Sequence, residues 1–476
     1  MCTISSLTRY KTQFVLGIVL FGLVVGIGNQ TSTSGHIQEP LAIPSSDDPI
    51  YLANNSEVLR LAALRGWTGE GSTSDPIIVK DLKITQSWEY NTTSLVYGVL
   101  AYRVAIAIEN VSLAIKFSNL TIDVSSELES GIILLNSSNI SLEGSNVVGG
   151  RNAILGVGCS NISLSNNSFS SKYRLSTSGH SLMGIGAVQF MGSDNLSQDN
   201  NNITNSDAVG VFVYAVSNVT IRNNNVLNNR WSGIVAEFSS NISLLDNVII
   251  NNSYGGVSGL YFDEVNTIAL KGNFISNHTS SLRLVFAIDL KKVTDVLFTE
   301  NTIANNPNYA ISIDQSGKMW FYHNNFINNK PSGPAQVQVV DSYSTDIHWY
   351  NETLAEGNYW DGYFGEDLDG DGFGETPYQI RSAYLPDDFK QDLYPKMEPY
   401  AEFFPSFFTC DHCYPSDPST ELTTSTGSEK TNISSSDGIS DEKTSSANGF
   451  AIPVLLLVTA IAGLRRRLVT KKNKFD

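Results

Sequence analysis

The sequence predicts an all-β chain wound as a right-handed parallel β-helix, a solenoid with capping segments. Two recurring phrases and one recurring residue predict it. The first phrase is Ser138-Asn139-Ile140-Ser141-Leu142, repeated as Ser160-Asn161-Ile162-Ser163-Leu164, Ser217-Asn218-Val219-Thr220-Ile221 and Ser240-Asn241-Ile242-Ser243-Leu244. Degenerate copies start near Asn266, Asp295 and Lys318. The second is a small residue followed by alternating apolar residues, as in Gly131-Ile132-Ile133-Leu134, Gly233-Ile234-Val235-Ala236, Gly259-Leu260-Tyr261-Phe262, Ala287-Ile288-Asp289-Leu290 and Ala310-Ile311-Ser312-Ile313. The recurring residue is Asn, at positions 167, 224, 247, 273, 301 and 325.

Alternation with period two is the pattern of a half-buried strand, and helical spacing is absent from the repeats. Each unit offers two or three strands too short to bury an apolar face alone. Stacking the units places Ile140, Ile162, Val219, Ile242 and Ile268 in inner columns. With strands 4.7–4.9 Å apart, roughly ten turns make a rod about 50 Å long. The Asn column is expected at tight corners, where Asn tolerates a left-handed backbone and identical amides bond along the rod. A leucine-rich repeat fits Ile242, Leu244, Asn247 and Ile249, but Ser239 stands where it needs leucine. That repeat and a β-propeller are the rival architectures.

Composition narrows the function. Of 476 residues 16% are charged, and the net charge of −17 excludes a basic nucleic-acid-binding face. Aromatic residues at 10% exclude a wholly disordered chain, and four Cys exclude a disulfide-dense scaffold. The apolar run Phe14–Gly28 follows Arg9 and Lys11, so residues 1–34 read as a signal peptide or signal anchor. Residues 35–100 then form an N-terminal cap region, 101–345 the repeats, and 346–415 a C-terminal cap with an acidic loop. Residues 416–447 are a Ser/Thr-rich stalk, 448–468 a transmembrane anchor, and 469–476 a basic cytoplasmic tail. This order puts the bulk of the chain outside the cell. Sequons such as Asn91, Asn136, Asn161, Asn218, Asn241 and Asn277 are then glycan acceptors where they reach the surface, although the repeat itself uses Asn and Ser for structural reasons.

Segments flanking the repeats carry a resemblance. Gly66-Trp67-Thr68-Gly69-Glu70-Gly71 and Asp75-Pro76-Ile77-Ile78-Val79 precede them. Gly357-Asn358-Tyr359-Trp360-Asp361, the run Asp367-Leu368-Asp369-Gly370-Asp371-Gly372 and Asp392-Leu393-Tyr394-Pro395 follow. Together with the Asn-rich coils, Tyr51 to Tyr400 resembles the NosD-like, carbohydrate-binding and sugar-hydrolase class of parallel β-helix proteins. The resemblance implies the fold. It also implies a kinship with periplasmic proteins linked to copper delivery and with surface proteins of no assigned activity. The C-terminal end resembles the anchoring tails of archaeal surface proteins, with Asn448-Gly449-Phe450 in place of Pro-Gly-Phe. Trp67, Tyr359 and Trp360 are expected to cover the rod ends, since a solenoid terminus exposes unpaired strand edges.

Four sites are candidates for chemistry. Asp367, Asp369 and Asp371 alternate along one loop with glycines between them, followed by the carbonyl of Phe373 and by Glu375. This is the spacing of a calcium loop that lacks the closing Glu, because Tyr378 occupies that place. Calcium is expected there as a structural ion. Cys410 and Cys413, with His412 between, read as a local disulfide or free thiols, and Cys159 as a small packed hydrophobe. Copper is not expected, because His36, His180, His278, His323, His348 and His412 are scattered, His180 with Met183 being the nearest soft-donor pair. Asp263, Asp289 and Asp314 recur about one turn apart, near Tyr261, Arg283, Lys291 and Lys292, and are the candidates for acid–base work.

The expected function is that of an exported, membrane-anchored cell-surface protein, non-catalytic, that binds glycans or builds surface structure. The alternative is a polysaccharide lyase or hydrolase acting on extracellular glycans, and the second alternative a NosD-like copper-handling protein. The expected partners are the membrane, through the C-terminal helix, and extracellular polysaccharide or surface-layer proteins, but not nucleic acid.

Overall fold

The computed structural model describes residues 47–90, 103–126, 129–172, 185–252, 258–279, 285–329, 338–380 and 390–407. Within them the chain is a right-handed parallel β-solenoid. The signal segment, the stalk and the C-terminal anchor lie outside the described residues, as do Arg283, Cys410, His412 and Cys413. Among the described residues no helix is long and apolar enough to cross a membrane.

One coil explains the rest. Val209–Tyr214 contributes to a first sheet (sheet A), Ser217–Arg222 to a second (sheet B) and Asn225–Leu227 to a third (sheet C), and the next coil re-enters sheet A at Ile234–Glu237. Sheet A has 12 strands and sheets B and C have 11 each. Along them every neighbour is parallel, save Trp88–Glu89 at the edge of sheet A. Ile162 pairs with Ile140, Val219 with Ile242 and Ile242 with Ile268, all at most 3% exposed. The expected inner columns are there.

Four left-handed residues turn this coil: Ala215 (φ 53°), Asn218 (φ 56°), Asn223 (φ 55°) and Asn228 (φ 56°). The following coils repeat them at Phe238, Asn241, Asp246 and Asn251, then at Glu264, Thr267, Gly272 and Asn277. The Asn of the recurring phrase is therefore a kink inside each sheet B strand. The kinked residues also bond to one another, Asn161 Nδ2 donating to Asn139 Oδ1 at 3.1 Å and Asn241 Nδ2 to Asn218 Oδ1 at 2.7 Å.

The expected Asn column requires a correction. The left-handed residue is the one before it, at Asn166, Asn223, Asp246, Gly272, Glu300 and His323. The column is Asn167, Asn201, Asn224, Asn247, Asn273, Asn301, Asn324 and Asn358, all at most 1% exposed. It takes in Asn201 and Asn358 and uses Asn324 rather than Asn325. Asn325 instead opens a sheet C strand and donates to Thr302 Oγ1 at 3.0 Å. Adjacent asparagines made the two positions interchangeable by eye.

Each amide in this column has a fixed task. Asn247 Oδ1 accepts the backbone N–H of Asn224 at 2.9 Å and its Nδ2 at 3.2 Å. Asn247 Nδ2 donates to Asn273 Oδ1 at 2.9 Å and to the Ile221 carbonyl at 2.8 Å. The corner between sheets B and C is thus buried with its backbone groups paired, which an apolar side chain could not achieve. A second buried column, at the corner from sheet C to sheet A, runs through Asn229, Asn252, His278, Asn306 and Asn329. His278 replaces an amide there, and burial pushes its imidazole down to about 4, so it is neutral. The small residues opening the sheet A strands make room for this column: a Cβ on Gly259 would lie 2.5 Å from the His278 ring, and one on Gly233 2.9 Å from Asn252 Nδ2.

The ends are closed differently. At the N-terminal end, within the segment expected to be a cap, Ile50–Leu52, Ile77–Lys80 and Lys83–Ile84 already form the first rungs of the three sheets. Between the first two lies a helix, α1 (Asn55–Arg65), outside the all-β expectation. Asn54 caps it by accepting the Glu57 N–H, and Gly66 (φ 68°) ends it. Val58, Leu61, Ala62 and Trp67 lie against the core. At the C-terminal end Trp360 is sandwiched between Phe326 (4.2 Å) and Tyr378 (4.6 Å), and Trp349 stacks on Phe321 at 4.3 Å. The expected covering role of Trp67 and Trp360 agrees with these contacts.

Asp392 terminates the first amide column. Its Oδ2 accepts Asn358 N at 2.8 Å, Asn358 Nδ2 at 3.2 Å and Trp360 Nε1 at 2.9 Å, and its Oδ1 accepts Tyr394 N at 3.2 Å. Full burial nevertheless pushes this carboxyl up to about 6.

Two outcomes are expected. Asn247→Ala strands a buried carbonyl and a buried N–H and should cost about 2–4 kcal/mol in chemical denaturation, whereas Asn241→Ala in the exposed column should cost less than about 1 kcal/mol. Because the folded Asp392 pKa is raised, its contribution is fully present below its ordinary pKa and is lost as pH rises through about 6. The stability of wild type relative to Asp392→Asn should therefore fall by up to about 3 kcal/mol between pH 3.5 and pH 7, read from paired denaturation curves.

Candidate functional site

Side chains alternate across a strand, so the inward Leu260 and Phe262 of Ser258–Asp263 leave Tyr261 and Asp263 on the outer face of sheet A. The parallel register aligns two outer columns. One reads Phe212, Val235, Tyr261, Asp289 and Ser312; the other reads Tyr214, Glu237, Asp263, Lys291 and Asp314. Of the three acids singled out in the sequence, Asp263 and Asp314 share a column with Lys291 between them, and Asp289 stands one column across. Glu237 completes the group and was missed, although it closes the same alternating phrase that begins at Gly233.

Asp263 Oδ2 accepts both the Tyr261 hydroxyl, at 3.1 Å, and Lys291 Nζ, at 2.9 Å. The buried oxygens Asp263 Oδ1 and Glu237 Oε2 have no hydrogen-bond partner among the described residues. Burial, then the charge of Asp263, raises the Glu237 carboxyl above the usual range, with Lys291 opposing. Burial pushes Asp289 up to about 6, against the Ser312 hydroxyl and Lys291. Tyr261 is raised by burial and by Asp263. Lys292 is taken up by Glu264 at 2.8 Å. Beside the carboxylates lies an apolar shelf in which Phe212, Val209 and Val235 pack with Tyr214, Trp231 and Tyr261, and Phe238, 45% exposed, meets Tyr214 at 5.3 Å. The face thus offers aromatic surface, a carboxyl raised to about 6 and further carboxylates within neighbouring rungs.

The acidic loop near the C-terminal end brings Asp367, Asp369 and Glu375 together, with one oxygen from each within 4.8 Å of the others. Asp371 turns aside and accepts the Phe373 N–H at 2.8 Å. The Phe373 ring lies under Lys396 Nζ at 4.3 Å. Asp367 accepts Gly370 N at 2.7 Å and Gly372 N at 2.9 Å, and Glu375 Oε1 accepts Leu368 N at 2.8 Å. Gly370 (φ 81°) and Gly372 (φ 88°) supply the left-handed turns. An all-oxygen donor set suits a hard cation such as calcium.

Soft donors are dispersed. His278 is fully buried, with Nδ1 facing Asn252 N and Nε2 facing the Ile249 carbonyl at 3.2 Å. His323 pairs with Glu356, and His348 with Asp346 at 2.9 Å. Cys159 is buried, its thiol pushed up to about 11 by burial, and its N–H bonds Ser193 Oγ at 3.0 Å. His180 and Met183 lie outside the described residues.

Comparison with known proteins finds structural likenesses and one family. Solved structures similar to this chain include PfbA, a surface protein and adhesin of Streptococcus pneumoniae (15% identity, 57% of this chain and 77% of that one, TM-score 0.39). An exopolygalacturonase from Thermotoga maritima shows 9% identity over 57% of this chain and 81% of its own, with TM-score 0.36. A mutant of the periplasmic alginate epimerase AlgG shows 15% identity over 67% and 77%, with TM-score 0.37. No curated protein matches. The family model described as periplasmic copper-binding protein (NosD) matches residues 74–285 and 177–365. Copper favours imidazole, thiolate and thioether donors, and among the described residues the one cluster able to hold an ion is made of carboxylates, so those residues do not fit that metal. The match runs through the repeated coils over more than half of the chain, and by it the protein belongs to the NosD family.

Proposed function

We propose that this is an exported, membrane-anchored surface protein that engages extracellular glycans with the outer face of sheet A. The observation that carries this reading is the group Glu237, Asp263, Asp289 and Asp314 on successive rungs, with Tyr261 and Lys291 among them and aromatic rings alongside. Sugar rings stack through their C–H faces on aromatic surface, and carboxylates accept sugar hydroxyls in charge-assisted bonds. Four acids against Lys291 repel a polyanion, so the preferred glycans are neutral or amino-sugar polymers. Export and anchoring rest on Phe14–Gly28 and on Phe450–Leu464 with the basic cluster after it.

The raised carboxyl of Asp289 favours a second reading, glycoside hydrolysis. A protonated Asp289 donates to a leaving oxygen while Asp263, paired with Lys291 at 2.9 Å, serves as base or nucleophile. One experiment separates the two. In a glycan array and a reducing-end assay on the full chain, neutral or amino-sugar polymers should bind better than polygalacturonate, and Asp263→Asn should weaken binding about tenfold. If sugar ends are released, the rate should fall as pH rises above about 6, when Asp289 gives up its proton, and Asp289→Asn should abolish it. Binding without product leaves the binding reading, and absence of both rejects the site.

We further propose that Asp367, Asp369 and Glu375 hold a structural calcium ion, with Asp371 and the Phe373 carbonyl as the remaining loop ligands considered. An affinity around 10⁻⁴–10⁻³ M suffices outside cells. Calcium at millimolar concentration should raise the melting temperature, chelator should reverse this, and Asp369→Asn should remove the difference. A melting curve indifferent to calcium rejects the site.

A further inference from the structure

Sheet B carries a second surface, chemically unlike sheet A. Its outer column runs Ser141, Ser163, Ser197, Thr220, Ser243, Ala269, Leu297, Trp320 and His348, each paired in register with the next. A shallow trough of about 320 Å³ lies along its middle, lined by the hydroxyls of Ser197, Thr220 and Ser243 and the amides of Asn195, Asn218 and Asn241. The amides are held in place by each other and by the left-handed kink: Asn195 Nδ2 donates to Asn161 Oδ1 at 3.3 Å, and Asn241 Nδ2 to Asn218 Oδ1 at 2.7 Å. The trough has no charged side chain in its lining. Further along the same column Leu297 and Trp320 are each 40% exposed, and the Trp320 indole lies flat on the His348 ring, with centroids 5.5 Å apart and planes 9° from parallel. At about 4.8 Å per rung, Trp320 stands about 19 Å along the rod from Thr220.

We propose that this column is a binding surface for an extended, uncharged polysaccharide chain lying parallel to the rod axis. Evenly spaced hydroxyls and amides meet sugar hydroxyls, the Trp320 face takes a sugar ring, and the rigid sheet pre-orders both. Other occupants fit less well. A peptide strand needs free sheet edges, and the strands lining the trough are paired on both sides. Nucleic acid needs phosphate-binding cations, which the trough lacks. An apolar partner needs a wide hydrophobic patch, and here only Leu297 and Trp320 supply one. This site is separate from the acidic face of sheet A and stands or falls independently of it.

The test uses the full chain, produced without N-glycosylation so that Asn195, Asn218 and Asn241 keep unmodified amides, in detergent with soluble hydroxyethylcellulose as the probe, by affinity electrophoresis, with polygalacturonate as the charged comparison. Trp320→Ala and Thr220→Arg should each weaken retention by hydroxyethylcellulose about tenfold. Lys83→Gln, at an exposed position of sheet C outside both surfaces, should leave that retention unchanged. Both sheet B variants alter outward side chains, and melting curves matching wild type establish that they fold. Thr220→Ser, which keeps the hydroxyl, should bind as wild type does. Retention that survives both Trp320→Ala and Thr220→Arg overturns the proposal, and its loss in Asp263→Asn alone then assigns the glycan to sheet A. Failure of the wild type to bind hydroxyethylcellulose also overturns it, and the sheet A reading is then judged by its own glycan array.

Discussion

The structure depends on one constraint: every buried backbone group at the corner between sheets B and C must find a partner in the next coil. Hydrophobic stacking alone would let coils slide or open at that corner, because apolar contact is non-directional. The amide column removes that freedom. Asn247, for example, accepts from the preceding coil and donates to both the preceding and the following coil, so coil spacing and register are set together. A solenoid built on nearest-neighbour contacts needs such a device at every rung and a different one at its ends. Asp392 is that end device, an acceptor that no further coil has to satisfy. It also explains Gly357, where a Cβ would fall 1.9 Å from Asp392 Oδ1.

With the backbone held this way, the outward positions are free to differ by sheet. Sheet A has concentrated acids and aromatics, and the trough of sheet B uncharged hydroxyls and amides. The inward residues of both are mostly aliphatic side chains and phenylalanines. Surface chemistry on this rod is thus written in columns: a residue acquires a neighbour about 4.8 Å away by recurring one coil later. Glu237 and Asp263 are adjacent for that reason, as are Thr220 and Ser243. The same rule gives the sequons a structural reading, since Asn161, Asn218 and Asn241 occupy a kinked column with mutually bonded amides.

Family membership and site chemistry point to different things here. The NosD match follows the repeated coils, whose pattern reports packing. The grouped side chains of the described residues offer oxygen ligands, carboxylates and aromatic rings, while the imidazoles of His278, His323 and His348 are each engaged elsewhere. A fold carries many chemistries, and the residues on its faces decide which.

The coil is legible in the chain. Period-two alternation, the recurring Ser-Asn phrase and the small residue ahead of each sheet A strand are local requirements of strand, kink and close approach, and each shows in consecutive residues. The sequence also marks the Asp-rich loop, whose carboxylates are neighbours in the chain. The folded rod settles which of two adjacent asparagines turns inward, that α1 interrupts the first coil, and that Asp392 closes the amide column from 34 residues beyond Asn358. It alone set Glu237 beside Asp263 and moved Asp289 one column across. The reason is physical: coil lengths vary, so spacing along the chain does not convert to position on a face until hydrogen bonding between coils has fixed the register.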